Sequence, residues 1–197
     1  IGWYLSGKKV KAIYNFHSSL TKPELLLGIV QSTLDFFLIK SSSQFVTVSR
    51  SCMDAFLKTS FFTTESSKLS YIHNGIEDPY PLISDSDIEV SELFMSTPFC
   101  LMLSTLEPQK GHHFLIRVFK SVVANFPEVR LIMCGYGTPQ QKQSIMDEIN
   151  EYGLQDSIML LDFVPRPYKI INKARVLLFP SQVFESFGLT IIEAMAL

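Results

Sequence analysis

Hydrophobic and polar positions follow a repeating pattern along the second half of the chain. Short apolar runs alternate with longer segments whose apolar residues recur at helical spacing. The runs predict strands at 99–103, 129–134, 158–161 and 176–179, and the longer segments predict helices at 114–124, 140–152 and 168–174, with a further helix that begins near Gly188. Strands that alternate with helices indicate parallel βαβ units.

The first half repeats this pattern less regularly. It predicts strands at 10–16, 45–48 and 69–72 and helices at 23–39 and 52–58. The stretch between Lys68 and Lys110 contains no Lys or Arg but several acidic residues and prolines, a composition typical of a solvated linker.

The fold class expected from these elements is α/β, with two Rossmann-like domains that contain parallel sheets. Residues 1–78 form the C-terminal part of a first domain, 79–96 an acidic linker, and 97–197 most of a second domain. Since the chain begins with Ile-Gly-Trp and stops abruptly after a helical segment, we expect an internal fragment in which both domains are truncated.

Composition narrows the function classes. A formal net charge of -2 gives no argument for a nucleic-acid partner. Cys52, Cys100 and Cys134 are few, odd in number and without metal-type spacing, which fits a reducing cytosol. No stretch has the uninterrupted apolar length of a transmembrane helix. The sequence therefore favours a cytoplasmic protein without a metal site.

Several polar or glycine residues follow predicted strands, where ligands bind in such folds. Lys110 and Gly111 could bind a phosphate. Alternatively, Lys110 is an ordinary solvated loop lysine. Gly135 and Gly137 predict a tight turn beside a ligand and give weak support for nicotinamide-dinucleotide binding. His112 and His113 are expected at the surface or as capping residues, and Ser49 as a turn residue.

The last segment, FPSQVFESFGLTIIEAMAL, contains Glu185 and Glu193 eight residues apart. We expect Glu185 in a loop and Glu193 in the following helix, with Leu189, Ile192 and Met195 on its buried side. Unpaired backbone N–H groups of the first helical turn would then form an anion site with a carboxylate on either side. Such carboxylates can accept hydrogen bonds from the hydroxyls of a sugar nucleotide. Alternatively, Glu185 caps a helix and Glu193 is solvated.

In this order, the segments resemble the family 4 retaining glycosyltransferases of the GT-B fold. The matching stretches are VTVSRS at 46–51, YIHNGIE at 71–77, LSTLEPQKGHHFLIRVF at 103–119, LIMCGYG at 131–137 and FPSQVFESFGLTIIEAMA at 179–196, which contains an E-x7-E motif. The resemblance spans nearly the whole chain, and its last motif is specific. It implies an acceptor domain followed by a nucleotide-sugar donor domain.

The resemblance also implies roles for individual residues. Lys110 would neutralise the leaving diphosphate, Glu185 would contact hydroxyls of the donor sugar, and Glu193 would hold the ribose hydroxyls. His17 would line the donor sugar and the acceptor side, so that the expected catalytic residues are His17, Lys110 and Glu185. The other expected donor contacts are Gly135, Val164 beside the base, and the backbone of Ser186, Phe187, Gly188 and Leu189. Neither a cofactor nor an essential metal is expected, and neither glutamate would act as a nucleophile.

Two departures from the family pattern stand out. The family places Gly-Arg where this chain has Ser104 and Thr105, and Gln109 cannot replace the missing positive charge. The glycine-rich N-terminal loop of the acceptor domain is also absent from the sequence. The chain therefore holds most of a donor half-site and little of an acceptor site.

The implied function is transfer of a sugar from a UDP- or GDP-sugar to a glycan or lipid-linked acceptor in cell-surface polysaccharide or glycolipid biosynthesis. Four lysines in the first block are compatible with peripheral contact at the inner membrane face, and equally with a solvated basic face: Lys8, Lys9, Lys11 and Lys22. Two alternatives remain at this point. One is a non-catalytic scaffold relative, motivated by Ser104-Thr105, and the other a nicotinamide oxidoreductase, based on Gly135 and Gly137.

Overall fold

The computed structural model describes residues 13–16, 44–59, 68–85, 94, 96–183 and 185–197. The chain divides into two compact units. Unit 1 comprises Ile1–Gly75 together with Phe184–Gly188, and unit 2 comprises Ile76–Val183 together with Leu189–Leu197. The loop that carries Glu185 therefore belongs to unit 1, although the residues on both sides of it belong to unit 2.

The described part of unit 1 contains a parallel sheet and one helix. Strands β1 (Ile13–Phe16), β2 (Gln44–Thr47) and β3 (Leu69–Tyr71) lie in the order β1-β2-β3, and helix α1 (Arg50–Thr59) follows β2. Phe45 of β2 stacks on Phe56 of α1 with ring centroids 4.6 Å apart, and both side chains are buried. This contact packs α1 against the sheet. The predicted helix 23–39, His17 and the four lysines of the first block lie outside the described residues.

Unit 2 contains a four-stranded parallel sheet. Strands β4 (Phe99–Leu103), β5 (Arg130–Cys134), β6 (Ile158–Leu161) and β7 (Val176–Leu177) lie in the order β6-β5-β4-β7. The helices are α2 (His112–Asn125), α3 (Pro139–Glu151), α4 (Tyr168–Lys173) and α5 (Leu189–Met195), with 3-10 helices at Tyr80–Asp85 and Pro108–Lys110. The predicted α/β class and the alternation of strands with helices are confirmed, although β7 is shorter than expected.

The core of unit 2 covers both faces of this sheet. One apolar cluster joins Met102, Leu131 and Met133 to buried residues of α2 and α3. A second cluster, on α4, joins Phe99, Leu101 and Ile132 to Ile170 and Ile171. Continuous apolar strands are stable only where both faces are covered, which explains why β4 and β5 consist almost entirely of apolar residues.

The acidic segment 79–96 is not solvated throughout, as its composition had indicated. Tyr80–Asp85 forms a 3-10 helix that contacts α4, and Phe94 is only 6% exposed within the second apolar cluster. Apolar residues between the acidic ones therefore attach parts of this segment to unit 2. The domain boundaries after residues 78 and 96 stay predictions.

Two local sequence features explain where the helices beside the predicted site begin. Thr138 and Gln141 form a capping box at α3: Thr138 Oγ1 accepts from Gln141 N at 3.2 Å, and Gln141 Oε1 accepts from Thr138 N at 2.8 Å. Gly111 precedes α2 in the left-handed conformation, with φ of 87°.

Within the part of the chain that the structure describes, no helix has the length and apolarity needed to cross a membrane.

Candidate functional site

Three loops meet at the carboxyl ends of the strands of unit 2. Ser104 N, directly after β4, donates to Cys134 O at 3.1 Å, and Leu106 N donates to Tyr136 O at 2.8 Å. The loop after β7 joins them, because Gln182 N donates to Gln109 O at 2.8 Å. These backbone hydrogen bonds place the loops of residues 104–111, 135–138 and 178–183 side by side.

Three glycines allow this close approach. A Cβ at Gly135 would overlap the carbonyl oxygen of Ser104, and a Cβ at Gly111 would overlap that of Pro180. A Cβ at Gly137 would lie 2.6 Å from the Cβ of Leu106. These glycines therefore permit close packing against the backbone of Ser104 and Pro180 and against the Leu106 side chain, whereas the tight turn predicted at Gly135 and Gly137 stays a prediction.

Lys110 lies at the junction between these loops and α2. It ends the 3-10 helix Pro108–Lys110, is half-buried, and directly precedes Gly111. Helix α2 has no side-chain cap at its N-terminus and no acidic residue in its first turn. A lysine and the positive end of a 14-residue helix thus lie together, an arrangement that attracts an anion such as a diphosphate.

The neighbouring polar side chains do not add positive charge. The Glu107 carboxylate accepts from Gln109 Nε2 at 2.8 Å and from Thr105 Oγ1 at 3.4 Å. Thr105, which stands at the expected arginine position, is exposed. This side of the loop therefore carries a carboxylate that orients two neutral groups.

His112 differs from the prediction of a surface or capping residue. It is only 1% exposed, and burial, with a smaller contribution from the charge of His113, lowers its pKa to about 4. Its Nε2 lies 3.4 Å from Ser104 Oγ, and its Nδ1 has no hydrogen-bond partner among the described residues. The ring is therefore neutral near pH 7 and packs beneath the loop after β4. His113 is partly exposed and pairs with Glu148.

The E-x7-E segment is divided between the two units. In unit 1, Glu185, Ser186 and Phe187 are half-buried, and Gly188 is buried with φ of 79°. Helix α5 of unit 2 begins at the next residue, as predicted, and Glu193 lies in it. Burial raises the pKa of the Glu193 carboxyl above its ordinary value, so this residue is not the fully solvated glutamate of the alternative interpretation.

The predicted buried side of α5 is wrong in part. Leu189 is 45% exposed and Met195 is 80% exposed, whereas Ala194 and Leu197 pack against the second apolar cluster. The helix has only seven residues, about two turns, so its apolar pattern is too short to determine which side faces the core.

The loop 185–188 has two contacts within unit 1 that the sequence did not predict. Ser49 Oγ donates to the carbonyl oxygen of Ser186 at 2.6 Å. The ring centroids of His73 and Phe187 are 5.7 Å apart. Ser49 and His73 lie two residues after the ends of β2 and β3, respectively, at the carboxyl end of the sheet, and this position was the available signal.

The other predicted site residues are less informative. Val164 is half-buried against the second apolar cluster, and its neighbour Phe163 is 62% exposed.

No group of three or more His, Cys, Asp or Glu side chains that could hold a metal ion occurs among the described residues. A groove of about 470 Å³ lies beside α3, but its lining contains none of the predicted site residues.

A parallel sheet with glycine-lined loops and a lysine at a helix start is typical of nucleotide-binding α/β proteins. The structure resembles that of Anabaena Alr3699/HepE in complex with UDP and glucose, with a TM-score of 0.75, 19% identity, and coverage of 98% of this chain and 52% of that one. The fold is of the GT-B type, as predicted.

Sequence comparison identifies the family. Residues 84–197 match the family model described as glycosyl transferases group 1, and this match covers more than half of the chain. The chain therefore belongs to the group 1 glycosyltransferases. Family membership removes the nicotinamide oxidoreductase alternative.

Two curated relatives agree with this assignment. An uncharacterized glycosyltransferase, MJ1059, of Methanocaldococcus jannaschii is 30% identical over 141 residues, which are 70% of this chain and 34% of the relative. The N-acetylgalactosamine-N,N'-diacetylbacillosaminyl-diphospho-undecaprenol 4-alpha-N-acetylgalactosaminyltransferase of Campylobacter jejuni is 27% identical over 135 residues, 68% of this chain and 34% of that protein. The chain thus spans about a third of the length of these relatives.

Proposed function

We propose that this protein is a retaining glycosyltransferase of family 4 that transfers a sugar from a UDP- or GDP-sugar to a glycan or lipid-linked acceptor. The observation that carries the proposal is Lys110 at the uncapped N-terminus of α2, beside loops brought together by Gly111 and Gly135. The neighbour bound to UDP and glucose and the Campylobacter relative named for an undecaprenol-linked substrate support the donor and acceptor classes.

Lys110 would act on the leaving group. When the bond between the anomeric carbon of the sugar and the diphosphate oxygen breaks, negative charge increases on the diphosphate. The Lys110 ammonium and the N–H groups at the start of α2 would stabilise that charge without a bound metal ion. Gly135 would permit close approach of the backbone, and Val164 would lie against the base.

The two glutamates would hold hydroxyl groups. Glu185 would accept hydrogen bonds from the donor sugar and Glu193 from the ribose, while the backbone of residues 186–189 would donate to the sugar and the diphosphate. The acceptor hydroxyl would attack on the face from which the diphosphate departs, and its proton would pass to the leaving phosphate oxygen. The anomeric configuration is then retained without a covalent intermediate, and His17 would line the acceptor side.

The cellular role follows from the acceptor class. A lipid-linked acceptor would place the reaction at the inner face of the cell membrane, in polysaccharide or glycolipid biosynthesis, and the basic residues of the first block would favour peripheral contact with anionic lipid.

A second candidate function is that of a non-catalytic GT-B scaffold. The observation that favours it is the surroundings of Thr105. Where the family has a positive charge, the Glu107 carboxylate binds Thr105 and Gln109.

Calorimetric titration of the full-length protein with UDP, GDP and NAD in the presence of a chelator separates the two candidates. Binding of UDP or GDP, but not NAD, is expected, followed by sugar transfer from the matching nucleotide sugar. If the folded protein bound neither nucleoside diphosphate, the scaffold function would take first place. If binding required a divalent ion, the role of Lys110 as the substitute for a metal would be wrong.

A matched pair of variants tests Lys110 itself. Lys110→Ala should lower the turnover number by about a hundredfold or more, because it removes a charge that stabilises the transition state. Lys173→Ala removes the same charge from an exposed position in the last turn of α4 and should leave turnover unchanged. Equal turnover of Lys110→Ala and the wild type would contradict the assigned role.

A further inference from the structure

The hydroxyl group of Ser49 makes two hydrogen bonds with different partners. Ser49 precedes α1, and its Oγ accepts from Cys52 N at 3.0 Å, which is the bond of a helix N-cap. A serine hydroxyl has one proton, and the capping bond uses only a lone pair. The proton is therefore available to a second partner, and the carbonyl oxygen of Ser186 accepts it at 2.6 Å.

The backbone of Ser49 is itself held in place. Its carbonyl oxygen accepts from Thr47 Oγ1 at 3.1 Å and from Met53 N at 3.0 Å. Thr47 is fully buried in β2, and its own carbonyl oxygen accepts from Ile72 N at 2.9 Å. The donor to Ser186 is thus fixed by the sheet and by α1.

A ring contact supports the same loop one residue further along. The ring centroid of Phe187 lies 5.7 Å from that of His73, at an interplanar angle of 45°, and the ring centroid of Tyr71 lies 5.4 Å from that of His73. Two consecutive loop residues are thus attached to unit 1, one through its carbonyl oxygen and one through its side chain. Glu185 directly precedes this attached pair.

We propose that Ser49 is a positioning residue: its hydroxyl holds the loop 185–188 in one conformation and so sets the place of the Glu185 carboxylate. The second part rests on the proposed function, in which Glu185 contacts the donor sugar. An error of about 1 Å in the placement of such a group can lower the rate by two orders of magnitude, so one hydrogen bond to the adjacent residue is enough to matter.

Three variants separate the loop contact from the capping role. Ser49→Thr keeps both hydrogen bonds and should behave as the wild type. Ser49→Asp keeps the cap, because aspartate is a good N-cap residue, but an ionised carboxylate cannot donate to Ser186. Ser49→Gly removes the hydroxyl without adding charge, and glycine is itself a favourable N-cap residue.

Amide hydrogen exchange on the full-length protein measures the loop directly. In Ser49→Asp and Ser49→Gly, exchange at residues 185–189 should become at least several-fold faster, whereas exchange within α1 and the melting temperature should change little. In the same two variants, kcat/KM for the nucleotide-sugar donor should fall by about tenfold or more. Ser49→Thr, which keeps the hydroxyl, should show wild-type exchange at residues 185–189 and wild-type kcat/KM.

The outcomes distinguish the two levels of the inference. Unchanged exchange at 185–189 in both Asp and Gly variants would overturn it, whatever the activity. Faster exchange with wild-type kcat/KM would show that the loop contact does not position Glu185, which also overturns it. If the wild type neither binds a nucleoside diphosphate nor transfers sugar, the proposed function fails together with the role toward Glu185, and exchange alone then decides whether Ser49 holds the loop.

Discussion

Gly135 lies so close to the carbonyl oxygen of Ser104 that a Cβ on Gly135 would overlap that oxygen. The contact is between two backbones, because the overlapped atom is the main-chain oxygen of Ser104. The same two segments are also joined by Ser104 N, which donates to Cys134 O at 3.1 Å. A flexible side chain could move away from an added methyl group, but a carbonyl oxygen between β4 and the Lys110 loop cannot move without displacing that loop. The position of the loop beside Lys110 therefore depends on residue 135 having no Cβ atom.

Gly135→Ala is expected to destabilise the protein by about 3 kcal/mol, toward the upper end of typical overpacking costs. Gly75→Ala is the matched control, since no atom of the described residues lies within 4 Å of the place where its Cβ would be. Thermal unfolding should show a clear decrease of Tm for the first variant and little change for the second. Equal Tm values for Gly135→Ala and the wild type would contradict the described approach of the two loops.

Because His112 is buried, we expect the free energy of unfolding to depend on pH in a specific way. Its pKa is about 4 in the folded protein and near 6.5 when solvated, so the unfolded chain binds a proton first as the pH falls. The free energy of unfolding should therefore be unaffected by His112 above pH 6.5 and decrease as the pH falls from 6.5 to 4, by up to roughly 3 kcal/mol.

His112→Leu removes this titration. Because Nδ1 has no partner among the described residues and Ser104 Oγ also donates to Thr105 O at 3.2 Å, the variant should be about as stable as the wild type at pH 7. Denaturant unfolding at a series of pH values should show a smaller slope between pH 4 and 6.5 for His112→Leu. Parallel curves for the two proteins would mean that His112 is not buried as described.

Through the ionisation of Glu193, we expect pH to change nucleotide binding and folding stability in opposite directions. Its carboxyl has a raised pKa because of burial, so the folded state favours the protonated form. Its contribution to folding is present at low pH and is lost as the pH rises through the folded pKa. In the proposed function Glu193 accepts hydrogen bonds from the ribose hydroxyls, and the ionised carboxylate accepts more and stronger hydrogen bonds than the protonated carboxyl, so affinity for the nucleoside diphosphate should decrease as the pH falls through the same pKa.

Glu193→Gln should bind the nucleoside diphosphate weakly, with little dependence on pH from this position, and should be at least as stable as the wild type at pH 7. Calorimetric titrations and thermal unfolding between pH 4.5 and 8 measure both properties. Glu151→Gln, at the exposed C-terminal end of α3, is the control and should leave affinity unchanged. Wild-type affinity in Glu193→Gln would remove the assigned role of this glutamate.

Thr105→Arg tests whether the missing positive charge limits donor binding. The new guanidinium should raise the affinity for a nucleoside diphosphate several-fold, with an effect that decreases at high salt. Glu107 would compete for it, because its carboxylate already accepts from Thr105 and Gln109. The double variant Thr105→Arg/Glu107→Gln should therefore bind more tightly than the single one, and Thr105→Gln should not gain affinity. No gain in either arginine variant would show that this position does not face the diphosphate.

The sequence by itself determined the order of strands and α-helices in unit 2 and the family, but not the two 3-10 helices or the short length of β7. Strands 99–103 and 158–161 are predicted with the observed limits, because each is a short apolar run with polar residues or turn signals at both ends. The Lys-Gly pair, the two glycines after β5 and the E-x7-E motif also lie in contiguous stretches, so their spacing is visible without coordinates.

Tertiary structure alone decided which side chains are buried at these positions. His112 follows a lysine and a glycine and precedes a second histidine, a polar context that favours the surface, yet the loop after β4 covers it. Leu189 and Met195 have the right spacing for a buried face of α5, but Ala194 and Leu197 occupy the core side. The bond between Ser49 and Ser186 joins residues 137 positions apart. Local sequence patterns reflect neighbours within a few turns or one strand, whereas these three features depend on how distant segments pack.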